Sequence, residues 1–461
     1  MIKVITYGTF DLLHYGHIRL LERARALGDY FIVGVTAENF DLSRGKINVQ
    51  QSLMERVEAV RATGLADKIV IEEYEGQKID DIRRYGVDIF AIGSDWIGKF
   101  DYLKEYCKVV YLDRTKGISS TELRAKDHSF RLGLVGNSSY LNKVEKECRL
   151  VNGLQLSGVC STTPEVLTDS LQKLPVFTRD YDALLEVSDA VYIRSHPNLH
   201  AEQVRKAIQA GKHVLCESPA ALSAQECRQL YALAREKNVI FMEALKTAYA
   251  TAYARLLLLA KNGKIGRVTS VDAVCTSLLP IGEADAGTLQ RHWNSMNEWG
   301  PTALLPVFQI LGTGFCDVRI TSRFADAEKR FDTFTKISFE YPDAVASVMV
   351  ANQVKSEGEM VVSGTKGYIY VPAPWWKTDY FEIRYENPAE NRRYFYQLDG
   401  EGIRYELVAF ARAMVTGKAL YGIDPSVGTA IAGIMDDFYN RRNFRELAGK
   451  TIMSDPGDMH E

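Results

Sequence analysis

Short apolar runs alternate with amphipathic stretches over the first third of the chain. KVITYG closes on Gly8, and HIRLLERARALG, apolar at helical spacing, ends at Gly28. YFIVGV reads as a second strand. Ser52-Leu-Met-Glu55 has capping-box spacing and opens a helix with Leu53, Val57 and Val60 on one face. KIVIEEY, a helix through Ile79 and Ile82, VDIFAIG and KVVYLD follow, and Ser119-Ser-Thr-Glu122 caps a further helix. Such alternation predicts a parallel sheet with right-handed crossovers.

The pattern restarts around Lys126–Ser129. RLGLVGN, LQLSGV, AVYIRS, KHVLCES and VIFMEAL are strand-like, with helical segments between them, one capped by Ser223-Ala-Gln-Glu226. Beyond residue 248, long helical stretches flank VTSVDAVCT, KISFEYP, AVASVMVAN, EMVVSGTKGYIYVP and DYFEIRYE. The expected class is α/β: two Rossmann-like, doubly wound parallel-sheet domains, then an α+β domain with a large open sheet. The expected boundaries are 1–127, 128–248 and 249–461.

Composition narrows the class. A formal net charge of -3 gives no electrostatic reason to expect nucleic acid or an anionic membrane as partner. No apolar run approaches the roughly 20 residues that span a bilayer, and Met1–Tyr7 is too short for a signal peptide. Seven scattered cysteines without a CxxC pair argue against a disulfide framework or a zinc site. A cytoplasmic enzyme without a dedicated protein metal site is expected.

The densest chemistry lies in Gly8-Thr-Phe-Asp-Leu-Leu-His14-Tyr-Gly-His17, where the first strand turns into the first helix. A helix N-terminus offers free N–H groups and a positive dipole end to phosphate oxygens. Gly16 lets the backbone approach closely, and His14 and His17 add hydrogen bonds to a nucleotide phosphate. Taken alone, the segment could also be an ordinary turn with two partly exposed histidines. Asp113-Arg-Thr-Lys-Gly-Ile-Ser-Ser-Thr121 joins a cation, hydroxyls and a helix start at another strand end. Carboxyl ends of parallel strands gather on one edge, so both segments can share a crevice, with Arg114 gripping a leaving pyrophosphate.

Residues 1–127 resemble the glycerol-3-phosphate cytidylyltransferase family of the HxGH nucleotidylyltransferase superfamily. That family's GTFDxxHxGH stands at 8–17, its GDDWxGKFD as Gly93-Ser-Asp-Trp-Ile-Gly-Lys-Phe-Asp101, and its RTxGISTT at 114–121 with Ser120 replacing a threonine. The resemblance implies a nucleotide and substrate pocket at Gly8, Thr9, Phe10, Asp11, Gly16, Gly93, Asp95, Trp96, Thr115, Gly117, Ile118, Ser119, Ser120 and Thr121. It also implies that Lys46 and Arg56 bind the acceptor phosphate or the triphosphate; the plainer reading is a solvated loop and helix face. CTP with Mg²⁺, held mainly by triphosphate oxygens, and a small polyol or sugar phosphate are the implied substrates. His14, His17, Lys46 and Arg114 would align them and neutralise charge.

Residues 128–461 carry another resemblance. Val191-Tyr-Ile-Arg-Ser195-His196-Pro-Asn-Leu-His200, Ala210-Gly-Lys-His-Val-Leu-Cys-Glu217-Ser218-Pro219 and GTKGYIYVP at 364–372 are similar to the Gfo/Idh/MocA family of NAD(P)-dependent oxidoreductases. It implies NADPH or NADH held near Gly136, Asn137, Ser138, Ser161, Ser195, His196, His200, Glu217, Ser218 and Pro219. The chain departs from the family at four places. Its glycine fingerprint would fall on Gly136, Ser138 and Leu141; Ser161 stands where an acidic residue would hold the ribose; Ser218 replaces the lysine of Glu-Lys-Pro; and the second-domain histidine would fall near Gln309 or Ile310. Lys246, at the next strand's end, could supply the missing ammonium or be a solvated lysine. A capping role for His200, and a core Trp293 beside a surface His292, are the plainer readings of those residues.

Two functions follow. One is a bifunctional enzyme making a CDP-polyol for capsule, teichoic acid or another surface glycan, the second half reducing a keto group on the same intermediate or its precursor. The other is a cytidylyltransferase whose second half serves dimerisation or substrate recognition. An adenylyltransferase forming FAD or a pantetheine nucleotide shares the HxGH turn but lacks the other two motifs. Both families imply a homo-oligomer.

Overall fold

The structure, a computed structural model, describes residues 1–11, 13, 15–37, 51–73, 76–113, 129–151, 153–279, 293–325, 331–396, 398–419 and 422–447. The chain divides into two compact units, Met1–His128 and Ser129–Glu461.

In the first unit the apolar runs form strands β1 (Lys3–Gly8), β2 (Tyr30–Thr36), β3 (Lys68–Glu72), β4 (Ile89–Gly93) and β5 (Lys108–Leu112). They pair in parallel in the order β3-β2-β1-β4-β5. Helices α1 (Tyr15–Arg25), α2 (Leu53–Ala62) and α3 (Gln77–Tyr85) connect them. Ser52 closes the expected capping box with Glu55, and Leu53, Val57 and Val60 are buried. Ile5, Ile32, Phe90, Ile92 and Phe100 fill one core. Because the order reverses between β1 and β4, the loops after those strands border a crevice at the sheet's carboxyl edge.

The second unit holds two sheets. Strands β6 (Phe130–Gly136), β7 (Leu154–Cys160), β8 (Val176–Thr178), β9 (Ala190–Arg194), β10 (His213–Glu217) and β11 (Phe241–Ala244) make a parallel sheet ordered β11-β10-β9-β6-β7-β8. Its switch point lies between β6 and β9, where Gly136 pairs with Arg194. Helix α4 (Tyr140–Cys148) leaves from β6, and α5 (Pro197–Gln209) leaves from β9. The other sheet has nine strands: β12 (Val268–Thr276), β13 (Asp317–Phe324), β14 (Asp332–Glu340), β15 (Val345–Ala351), β16 (Met360–Gly364), β17 (Gly367–Val371), β18 (Tyr380–Tyr385), β19 (Arg392–Phe395) and β20 (Phe444–Glu446). Its order is β19-β18-β17-β16-β12-β15-β14-β13-β20. Alternation in β14 buries Ile337 and Phe339 while Lys336 and Ser338 stay exposed. One buried cluster runs from Leu132 and Tyr192 through Trp375 to Val348 and Ile383.

The α/β class, with two Rossmann-like sheets and a large mixed sheet, is the one the sequence led us to expect. EMVVSGTKGYIYVP resolves into two antiparallel strands, β16 and β17, turning at Thr365 and Lys366. No helix among the described residues is long and apolar enough to cross a membrane.

Gly136 has φ +148°, and a Cβ there would sit 2.4 Å from the Arg194 carbonyl oxygen. Gly136→Ala is expected to destabilise the second unit by about 1–3 kcal/mol. Denaturant unfolding followed by tryptophan emission, dominated by Trp293, Trp299, Trp375 and Trp376, checks this; an unchanged midpoint would contradict it.

Candidate functional site

The first crevice is shaped by the turn after β1. Phe10 adopts φ +52°, unusual outside glycine, and folds its ring over Gly8, where a Cβ would meet that ring at 2.9 Å. The buried Phe10 ring meets His17 edge-on, with centroids 5.6 Å apart. Asp11 Oδ1 accepts a hydrogen bond from the Gln51 backbone N–H at 2.9 Å, fixing the turn to the entry of α2. Trp96, after β4, lies against Phe100 at 5.7 Å, with Lys99 Nζ 5.2 Å from its ring. Asp101 accepts from Tyr111 at 2.8 Å and pairs with Lys104 at 2.9 Å. The loop from Gly93 to Asp101 is thereby tied to β5.

Arg56 lies elsewhere than on a solvated helix face. It is fully buried; Nε donates to the Gln51 carbonyl at 3.1 Å, and Nη1 to the carbonyls of Thr9 and Thr36 at 2.8 and 2.7 Å. The residue expected to touch phosphate thus ties together the three backbone segments that shape the crevice. His14, Lys46, Arg114, Thr115, Gly117, Ile118, Ser119, Ser120 and Thr121, with the capping box at 119–122, lie outside the described residues, as does the Asp95 side chain. Gly8, Thr9, Phe10, Asp11, Gly16, His17, Gly93 and Trp96 follow the carboxyl ends of β1 and β4.

Beneath this edge, sequence reading missed a buried polar network. Lys78 pairs with Glu72, which also accepts from Thr36 at 3.2 Å. Tyr7 and Gln77 donate to Asp81 at 2.7 and 3.0 Å, and Lys78 Nζ lies 4.7 Å from the Tyr7 ring. The polar positions in KIVIEEY and QKID are its only trace in the sequence.

The second crevice lies at the β6/β9 switch point. Asn137 Oδ1 accepts from Ser161 Oγ at 3.1 Å and the Thr162 N–H at 2.8 Å. Ser138 Oγ accepts from the Tyr140 N–H at 3.2 Å, at the start of α4. Neutral amide and hydroxyl groups therefore stand where a ribose-binding acid would be expected. His196, not His200, caps α5, accepting from the Asn198 N–H. His200 is buried, its ring nitrogens 2.9 and 2.8 Å from the carbonyl oxygens of Ser195 and Pro219. Burial lowers its pKa to about 4, against the two carbonyl contacts, which favour the protonated ring. Ser195 Oγ donates to Gln203.

Ser218, in the lysine's place, turns inward and donates to buried Glu243 at 2.6 Å; Tyr231 donates to the same carboxylate at 3.0 Å. Cationic charge enters the crevice from two other strand ends. Arg194 places its guanidinium between the rings of Tyr140 and Trp293, 4.3 and 4.4 Å from their centroids, and 3.6 Å from Glu217 Oε2. Tyr192 donates to Glu217 Oε1 at 2.6 Å. Lys246 is mostly buried rather than solvated: its Nζ lies 3.2 Å from Glu401 and 5.8 Å from the Tyr140 ring. Burial raises the pKa of Glu298 and, well above the ordinary range, that of Glu406; Arg194 and Lys246 oppose it in both. Gln309 is locked between Tyr253 and the Gly422 carbonyl, each at 3.0 Å. Trp293 walls the crevice, whereas His292 lies outside the described residues. Arg194 and Tyr140 are contributions the sequence reading missed, although IRSHP and NSSYL carry them.

Residues 5–126 match the family described as Cytidylyltransferase-like, and residues 130–245 match the Oxidoreductase family, NAD-binding Rossmann fold. The chain is 51% identical over 124 residues to the glycerol-3-phosphate cytidylyltransferase of Bacillus spizizenii, covering 27% of this chain and 95% of that one. Over 107 residues it is 39% identical to a dTDP-3,4-didehydro-2,6-dideoxy-alpha-D-glucose 3-reductase of Streptomyces violaceoruber, covering 23% of this chain and 31% of that enzyme. The crystal structure of KijD10, a 3-ketoreductase from Actinomadura kijaniata with NADP and TDP-benzene, shares the fold: TM-score 0.59, 19% identity, 69% of this chain and 99% of that one.

Arg56→Ala would leave three backbone carbonyls without their donor and is expected to destabilise the first unit by about 2–4 kcal/mol. Hydrogen-exchange protection of β1 and β2 reads this loss, and unchanged protection would contradict the tie.

Proposed function

From a chain that belongs to the cytidylyltransferase-like family through its first unit and carries a Gfo/Idh/MocA oxidoreductase domain in its second, we propose a bifunctional CDP-polyol synthase. The first unit transfers a cytidylyl group from CTP to a small polyol or sugar phosphate and releases pyrophosphate. The observation that carries this is the Gly8–Phe10–His17 turn at the β1/β4 switch point, within a motif shared with glycerol-3-phosphate cytidylyltransferases. An acceptor phosphate oxygen attacks the α-phosphorus in line as pyrophosphate departs. This step needs alignment and charge neutralisation, not a covalent nucleophile. His17, in contact with Phe10, neutralises phosphate charge, and the motifs assign the same role to His14, Lys46 and Arg114. Mg²⁺ travels with the triphosphate, held mainly by its oxygens.

The second unit reduces a keto group on the same intermediate or its precursor. What supports a dinucleotide here is the place of the loop: Gly136 ends β6 at the switch point, and the neutral groups of Asn137, Ser161 and Thr162 gather beside it, where a ribose would lie. NADPH or NADH would supply the hydride when bound. Lys246 is the proton donor, its ammonium oriented by Glu401. The product serves a capsule or another surface glycan, with glycerol, ribitol or a hexitol as the polyol. The enzyme works in the cytoplasm as a homo-oligomer. Its functional division falls at 1–127, 128–248 and 249–461.

Two observations favour the second reading, a cytidylyltransferase with a non-redox partner domain. The Tyr140–Arg194–Trp293 stack stands at the switch point, and Ser218 is committed to Glu243. Calorimetric titration with NADPH separates the readings, because a filled crevice binds none.

His17→Ala is expected to lower pyrophosphate release from CTP by about 100-fold or more; full activity would overturn the assignment. Lys246→Ala is expected to remove NADPH oxidation while cytidylyl transfer continues. Unaffected oxidation would move the proton donor elsewhere.

A further inference from the structure

Three lysines from separate stretches of the second unit converge on one carboxylate. Lys143 on α4 lies 3.1 Å from Glu401; Lys246, after β11, and Lys377, before β18, each lie 3.2 Å from it. Three ammonium groups against one carboxylate leave a formal charge of +2, summed over these four residues. Glu147, also on α4, does not offset this charge, because it pairs with Arg404 at 2.9 Å. Glu298 and Glu406, two carboxyls that feel the Lys246 charge, are buried and biased by that burial toward their neutral form.

The carboxylate is held in place by an unusual backbone. Gly400, Glu401 and Gly402 have φ of +56°, +56° and +95°, a left-handed run that Glu does not favour. A Cβ on Gly400 would strike the Glu147 carboxylate, and one on Gly402 would lie 3.3 Å from Lys246 Cβ, so the loop is pressed against its partners. Partial burial opposes ionisation of Glu401, yet Lys143, Lys377 and Lys246 outweigh it and hold the carboxyl down to about 2.

Two members of the cluster face solvent and the third lies deeper. Lys143 and Lys377 are 53% and 38% exposed, whereas Lys246, at 18%, reaches inward toward Tyr140, which stacks on Arg194. Trp376, beside Lys377, packs on Trp299 at 4.8 Å.

We propose that Lys143 and Lys377, the exposed members of this cluster, bind the phosphate monoester of the keto substrate, which displaces Glu401 from them while Glu401 keeps its pairing with Lys246. The proposal rests on the reductase reading of the second unit. Ammonium groups at charge-assisted distance suit a phosphate dianion, and a phosphate anchored there sets a keto carbon toward the switch point. Reduction then precedes cytidylyl transfer, because transfer converts the monoester into a diphosphate.

Two measurements on the full chain test this. In hydrogen exchange, inorganic phosphate and dihydroxyacetone phosphate are expected to change protection of residues 374–377 and 399–402. Glu401→Gln should sharpen the response to lower phosphate concentration, and Lys143→Ala/Lys377→Ala should remove it. Kinetically, the double variant should raise KM for a ketose phosphate about tenfold more than KM for the unphosphorylated ketose. No exchange response, or equal KM changes, would overturn the site. A selective rise in KM for NADPH, or for a CDP-linked ketose, would assign the lysines to another phosphate and overturn it too. An exchange response without any NADPH oxidation keeps the phosphate site and refutes the reductase reading; turnover indifferent to both lysines does the reverse.

Discussion

Parallel strands carry their carboxyl ends to one edge, and at a reversal of strand order the two neighbouring loops part. Each unit of this chain has one such point, between β1 and β4 and between β6 and β9. The rest depends on how closely the backbone can run there. In the second unit Gly136 lies against the Arg194 carbonyl with no room for a Cβ. In the first, Phe10 takes a left-handed conformation to cover Gly8 and meet His17, while Arg56 binds the surrounding carbonyls from below. Both crevices are made by the backbone first, and side chains then decide what enters.

The second crevice shows charge being relocated. In place of the lysine of Glu-Lys-Pro stands Ser218, which belongs to an internal network with Glu243 and Tyr231. Arg194 and Lys246 bring cations back from neighbouring strand ends, one stacked between aromatic rings and one paired with Glu401. A stacked guanidinium beside Glu217 is largely neutralised. Lys246 belongs to a cluster with cationic charge to spare, which makes it the better candidate for acting on a substrate oxygen.

Strands with strong apolar runs, such as VITY and VYI, were legible in sequence, as were the caps at Ser52 and Ser223. Strands β8, β13, β19 and β20 were not. Val176–Thr178 and Phe444–Glu446 are three-residue edge strands, Arg392–Phe395 is a polar edge, and charged residues interrupt Asp317–Phe324. Their identity comes from the neighbouring ladder rather than from their own pattern. For the sites, the motifs locate the loops but not the roles. Arg56 and His200 hold backbone, and nothing local in their sequence distinguishes that from contact with a ligand. The meeting of Lys143, Lys246, Lys377 and Glu401 spans more than 250 residues of chain, a convergence that no local pattern encodes.

The most direct test of a fused synthase follows one hydride. The full chain is supplied with CTP, Mg²⁺, a panel of triose and ketose phosphates and NADPH deuterated on its reactive face, and the CDP product is analysed by mass spectrometry. A CDP-polyol carrying deuterium on a former keto carbon is the predicted result. A CDP ester formed from polyol phosphate alone, with NADPH and NADH left unoxidised for every ketose, would contradict it.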